Sequence, residues 1–110
     1  MMPRTIVEAD WKVLRRLRPL ALERFCERVL NEIDRVMHDR AQSAHQRYLD
    51  IFKIIEQRDG EIASMFNDPR RSNALTMLAR IHSKGLLNED EFSSLSPETR
   101  SAIQLLLGTE

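Results

Sequence analysis

His38, Gln42 and His45 recur at spacings of 4 and 3, which puts them on one face of a helix. With Asp39 and His82 they are the side chains best suited by type to bind a metal or move a proton. Such chemistry needs donors that converge, and neither Glu-x-x-His nor His-Glu-x-x-His occurs. Two histidines seven residues apart are expected as solvated or hydrogen-bonded groups. Cys26, the only cysteine, sits between Phe25 and Val29 on an apolar row, where a thiol is expected to be a small core residue and not a nucleophile.

Arg70, Arg71, Ser72 and Asn73 follow Asp68-Pro69, a pair that reads as a helix N-cap and first helical position. Arginines are electrostatically disfavoured at a helix start, so the placement suits a bound phosphate or a partner's carboxylate. The competing reading pairs Arg70 and Arg71 with Glu56, Asp59 or Glu61 across the turn. A second basic group, Lys12, Arg15, Arg16 and Arg18, covers much of a short helix whose other face carries Trp11, Leu14 and Leu17. It has no interleaved aromatics beyond Trp11, and a solvated helix face is expected. A helix, glycine turn and helix from Met77 to Leu95 has the outline of a DNA reader. Its second helix opens with Asn88, Glu89, Asp90 and Glu91, however, and acids repel phosphates. Three isolated glycines make no phosphate-binding loop.

These groups stand on a chain built for helices. Charged residues are 31% of its 110 residues and aromatics 5%, with only 3 glycines and 4 prolines. Lys+Arg and Asp+Glu are 17 each, so overall charge selects neither nucleic acid nor an anionic membrane. The distribution is uneven. Residues 1–30 carry 7 basic and 4 acidic side chains, whereas after Leu86 Arg100 is the sole cation among five acids. Self-complementarity, within one subunit or between two, is the expected use. No apolar run reaches signal-peptide or membrane-span length, and a cytoplasmic protein is expected.

The strongest organising signal lies between Pro19 and Gly60, 40 residues without proline or glycine. Leu22, Phe25, Val29, Ile33, Val36, Tyr48, Ile51, Phe52 and Ile55 recur there at helical spacing. The spacing predicts one central helix from about Leu20 to Arg58, roughly 57 Å long, several times the ~13 Å radius of gyration of a compact domain this size. It must therefore bend, with His38–Gln46 and Arg40 at the thin point, or protrude and be covered by a second subunit. The richer half, Tyr48 to Ile55, is expected to be the heart of the core. Asp10 is expected to cap a first helix that Pro19 ends. Gly85, the Asn88…Glu91 capping box and Ser96-Pro97 punctuate the remainder.

The fold expected is a single all-α domain, a bundle of four to five helices, with Met1–Val7 as a loose arm. The function expected is non-enzymatic: a helical interaction or oligomerisation domain, foremost a homodimer, with another protein as the other partner and no cofactor. Its subunit interface would use Tyr48, Leu49, Phe52 and Ile55. The alternatives are a nucleic-acid-associated regulator using the basic N-terminal helix with Arg70 and Arg71, and a small metal-dependent enzyme using His38 and His45.

Overall fold

The computed structural model describes residues 6–108. Five helices follow in order, α1 (Glu8–Met37), α2 (Ala44–Phe66), α3 (Ala74–Ser83), α4 (Glu89–Ser93) and α5 (Pro97–Leu106). No strand occurs among the described residues. The protein is a small all-α bundle.

The 40-residue stretch does not form one helix. It breaks at His38–Ser43, around Arg40, and the chain reverses so that α1 and α2 lie antiparallel. The break needs neither proline nor glycine. Asp39 accepts the Ala41 amide at 3.1 Å, and Ser43 caps α2 by accepting the Gln46 amide at 3.0 Å. Arg47 closes the other side by donating to the Met37 carbonyl at 2.7 Å. Short polar side chains thus take over backbone groups that a continuous helix would have paired.

Upstream, α1 passes through Pro19, where the sequence predicts an interruption. An interior proline costs about 3 kcal/mol. Leu14, Leu17, Ala21 and Phe25 form one buried row across it. Each buried Leu or Phe contributes roughly 1.5–3 kcal/mol, so the row outweighs the proline. Asp10 does not cap α1. Val7 holds the N-cap position, and Asp10 is buried inside the first turns.

The N-terminal half of α1, the end of α2 and helices α3 to α5 make a globular base around Leu14, Phe66, Leu78, Ile81, Leu86 and Ile103. Trp11 belongs to this core. Ile6 is buried as well, while residues 1–5 of the expected loose arm lie outside the described residues. Three punctuation marks act as their residue types dictate. Gly85 takes φ +69°, with Leu86 N–H donating to Ile81 O and Gly85 N–H to His82 O, and Leu86 folds back into the core. Asn88 and Glu91 form a reciprocal capping box on α4, and Ser96 caps α5 ahead of Pro97. The expected start of α3 moves. Asp68 sits at φ +56° instead of capping a helix, and α3 begins only at Ala74.

Beyond the base, the distal part of α1 and the first two thirds of α2 project as a two-helix arm. The molecule measures 55 × 26 × 25 Å, with a radius of gyration of 17.0 Å. Phe52 and Tyr48 therefore do not lie in the core: they are 54% and 66% exposed. The richest stretch of the apolar row sits where only one other helix reaches it.

Candidate functional site

The arm is held in register by a small set of polar contacts. Arg58 on α2 donates to Glu32 on α1 at 3.0 and 3.2 Å and to Glu61 at 2.9 Å. That pairing raises the Arg58 pKa and holds the Glu32 carboxyl below its ordinary range. With Arg47 on the Met37 carbonyl, it ties α1 and α2 as an antiparallel pair at two points along the arm. Val29, Ile33, Val36, Ile51 and Ile54 are half-buried along the seam.

The two sides of the arm differ in chemistry. One side is a groove of about 360 Å³ lined by Arg28, Glu32, Arg35, Arg58, Glu61 and Lys84, over Phe25 and Val29. The other follows from helical phase. Leu30 and Met37 lie two residues beyond Arg28 and Arg35, hence about 200° around α1 from that groove. On α2, Tyr48, Phe52 and Ile55 lie roughly 120–180° from Glu61. The antiparallel pairing brings both sets to the same side. Leu30 is 60% exposed and Ile55 49% exposed, with Met37 and Leu49 also open. All six side chains are between 43% and 66% exposed, so apolar surface is left open along this side of the arm.

Acids border this face. Glu27 precedes Leu30 by three residues and Asp34 follows it by four, while Glu56 and Asp59 stand four residues after Phe52 and Ile55. Glu23 continues the α1 row, and all five are exposed. Asp34 meets His38 at 3.3 Å. Among the described residues, Glu23, Glu27, Glu56 and Asp59 enter no salt bridge. Arg40, in the tip loop, and Lys53, on the outer flank of α2, are exposed as well.

The expected anion site is arranged otherwise. Since α3 starts at Ala74, Arg70 and Arg71 precede the helix and do not occupy its first turn. Arg70 pairs with Asp68, and Arg71 pairs with Glu8 at 3.0 Å while lying 5.1 Å from the Trp11 ring centre. The Glu8 carboxyl is lowered chiefly by that hydrogen bond from Arg71. Glu56, Asp59 and Glu61 are not the partners. Asn73 is consumed locally, accepting the Arg70 amide at 2.9 Å and donating to the Asp68 carbonyl at 3.0 Å, while Ser72 is exposed.

The basic group on α1 divides. Lys12, Arg15 and Arg16 point to solvent, but Arg18 donates to the Phe66 carbonyl at 2.8 Å, closing the end of α2. Farther along, Arg28 donates to the carbonyls of Lys84 and Gly85 at the end of α3. Arg24 binds both oxygens of Glu91, at 2.6 and 2.8 Å, and the Leu86 carbonyl at 2.8 Å. Much of the uneven charge thus joins α1 to the ends of other helices within one subunit.

His38 and His45 are both exposed at the tip, and the His38 ring shares a 2.9 Å hydrogen bond with the Asp34 carbonyl. Among the described residues no group of three or more His, Cys, Asp or Glu side chains converges as a metal site would require. Cys26 is half-buried, not a core residue. His82 stacks on Phe92, ring centres 4.0 Å apart. No helix of the described residues is long and apolar enough to cross a membrane. Compared with family models, curated proteins and solved structures, the chain has no significant match to any of them.

Proposed function

We propose that this chain is a non-enzymatic protein-contact domain whose two-helix arm is the contact element. One observation carries the reading: Leu30, Met37, Tyr48, Phe52 and Ile55, which helical phase sets on one side of the arm, are all left exposed by the fold. The base has a separate and complete core, so the row is not needed to hold the domain together. Exposed apolar surface of this extent, with an aromatic centre and a charged border, has the make-up of a contact surface with a core and a polar rim.

The test compares the wild type with a Tyr48→Ser/Ile55→Ser variant in unfolding, helicity and binding of an apolar dye. A contact surface predicts unchanged helicity, an unfolding free energy within about 1 kcal/mol of wild type, and markedly less dye bound. A loss of several kcal/mol would assign the row to the folded core and overturn the reading.

A further inference from the structure

The arm offers its partner more than an apolar strip. Leu30 stands between Glu27 and Asp34 on α1, and Phe52 and Ile55 are followed by Glu56 and Asp59 on α2. Four of the five acids along this face enter no salt bridge among the described residues, so the fold itself makes no use of their charge there. Of the arm's cations, Arg28, Arg35 and Arg58 stand around the opposite groove, Arg47 is turned to the Met37 carbonyl, Lys53 lies on the outer flank of α2 and Arg40 in the tip loop.

We infer that the open face of the arm docks a basic amphipathic helix from a different protein. Its apolar side would cover Leu30, Phe52 and Ile55 while its Lys or Arg side chains meet Glu27, Asp34, Glu56 and Asp59. The inference rests on the protein-contact reading above and names the chemistry of the partner.

The geometry suits a helix. Two antiparallel helices leave a shallow furrow between them, flanked by the exposed Leu30 and Met37 of α1 and the exposed Tyr48, Phe52 and Ile55 of α2. A helix laid in that furrow presents anchors at i, i+3, i+4 and i+7. Two copies facing each other about a two-fold axis would instead set acidic rim against acidic rim, because such an interface repeats the same patch on both subunits. Like charges across an interface act against association, so the occupant is a chain of opposite rim charge.

The test titrates the full chain with three peptides of about 18 residues that share one apolar face and carry basic, neutral or acidic polar faces. A concentration series of the protein alone accompanies it. Binding of the basic peptide at least about tenfold tighter than the neutral one, weakening when salt rises from about 50 to 500 mM, is expected. A Glu56→Lys/Asp59→Lys variant, whose changed residues are exposed, should abolish that preference, since two lysines then balance Glu27 and Asp34. Equal binding of all three peptides, or self-association that Phe52→Asp abolishes, would overturn the basic-helix inference and leave the contact reading standing. Absence of both peptide binding and self-association would overturn both.

Discussion

The carboxylate of Asp10, near the start of α1, accepts a 2.6 Å hydrogen bond from the hydroxyl of Thr99 on α5, 89 residues away. The same carboxylate takes the Ser96 amide at 2.9 Å and the Ser96 hydroxyl at 2.6 Å. Asp10 is 2% exposed, and burial alone would push its pKa up. The three donors outweigh that cost and hold it below the ordinary aspartate value. An acid on α1 thereby orients the cap of α5 and fastens the last helix to the first.

Removing that charge should be expensive. Asp10→Ala leaves the half-buried Ser96 donors and the buried Thr99 hydroxyl without their acceptor, and a loss of about 3 kcal/mol is expected. Thr99→Val, which removes one donor and keeps the shape, should cost about 1 kcal/mol. Chemical unfolding of both variants checks the order, and equal losses would contradict it.

Acid should loosen the same joint. The folded pKa of Asp10 lies below its unfolded value, so its contribution is complete above the unfolded value near pH 4 and is lost as pH falls through the folded one. Glu32 and Glu91, lowered by their arginine partners Arg58 and Arg24, act in the same direction. Unfolding free energy should therefore fall from about pH 4 downward, and the fall should be shallower in Asp10→Asn.

Phenylalanine position separates base from arm. Phe66, 1% exposed and facing Phe25 at a 6.4 Å ring separation, should lose about 3–5 kcal/mol on change to Ala. Phe52→Ala should lose less than about 1 kcal/mol, because over half its surface is already in water. Similar losses at both positions would place the arm's open face in the core.

Two glycines should respond with opposite sign. Gly60 lies inside α2, and a Cβ there meets nothing within 4 Å, so Gly60→Ala should stabilise by about 0.5–1 kcal/mol. Gly85 is held at φ +69° with only Arg28 Nη2 nearby, at 3.6 Å from an added Cβ. Gly85→Ala should cost about 1 kcal/mol for backbone conformation, not collision. Thermal midpoints of the pair decide.

Much of this fold is legible in local chemistry. The Asn88 box, the Ser96-Pro97 cap and the Gly85 turn depend on residues within one helical turn, and each forms as its pattern predicts. The arm is less legible. Periodicity reports that Tyr48 and Phe52 share a helix face, but it cannot say whether another helix reaches that face. The break at Arg40 left a fainter signal in Asp39 and in Ser43 followed by Gln46, a serine-glutamine spacing typical of helix starts. Arg70 and Arg71 failed as a helix-start pair because Asp68, with its left-handed backbone, delays α3 to Ala74. The acidic border is plain in sequence only after the reversal is known, since Glu27 and Glu56 meet one face through tertiary pairing.

Arg58, bridging Glu32 and Glu61, stands where the arm leaves the base. Past that point the amides of α1 and α2 are protected by their own helices and one seam of half-buried side chains. Before it, they share a core with three further helices. The chain therefore contains two units of local opening strung on the same two helices, and their hydrogen-exchange rates should divide near Arg58. Tip amides would exchange through fraying from His38–Ser43, whereas the amides of Leu14 and Leu78 would wait for global unfolding. A ligand on the open face would slow both classes by the same mass-action factor, because opening of the arm and global unfolding each remove the surface it binds.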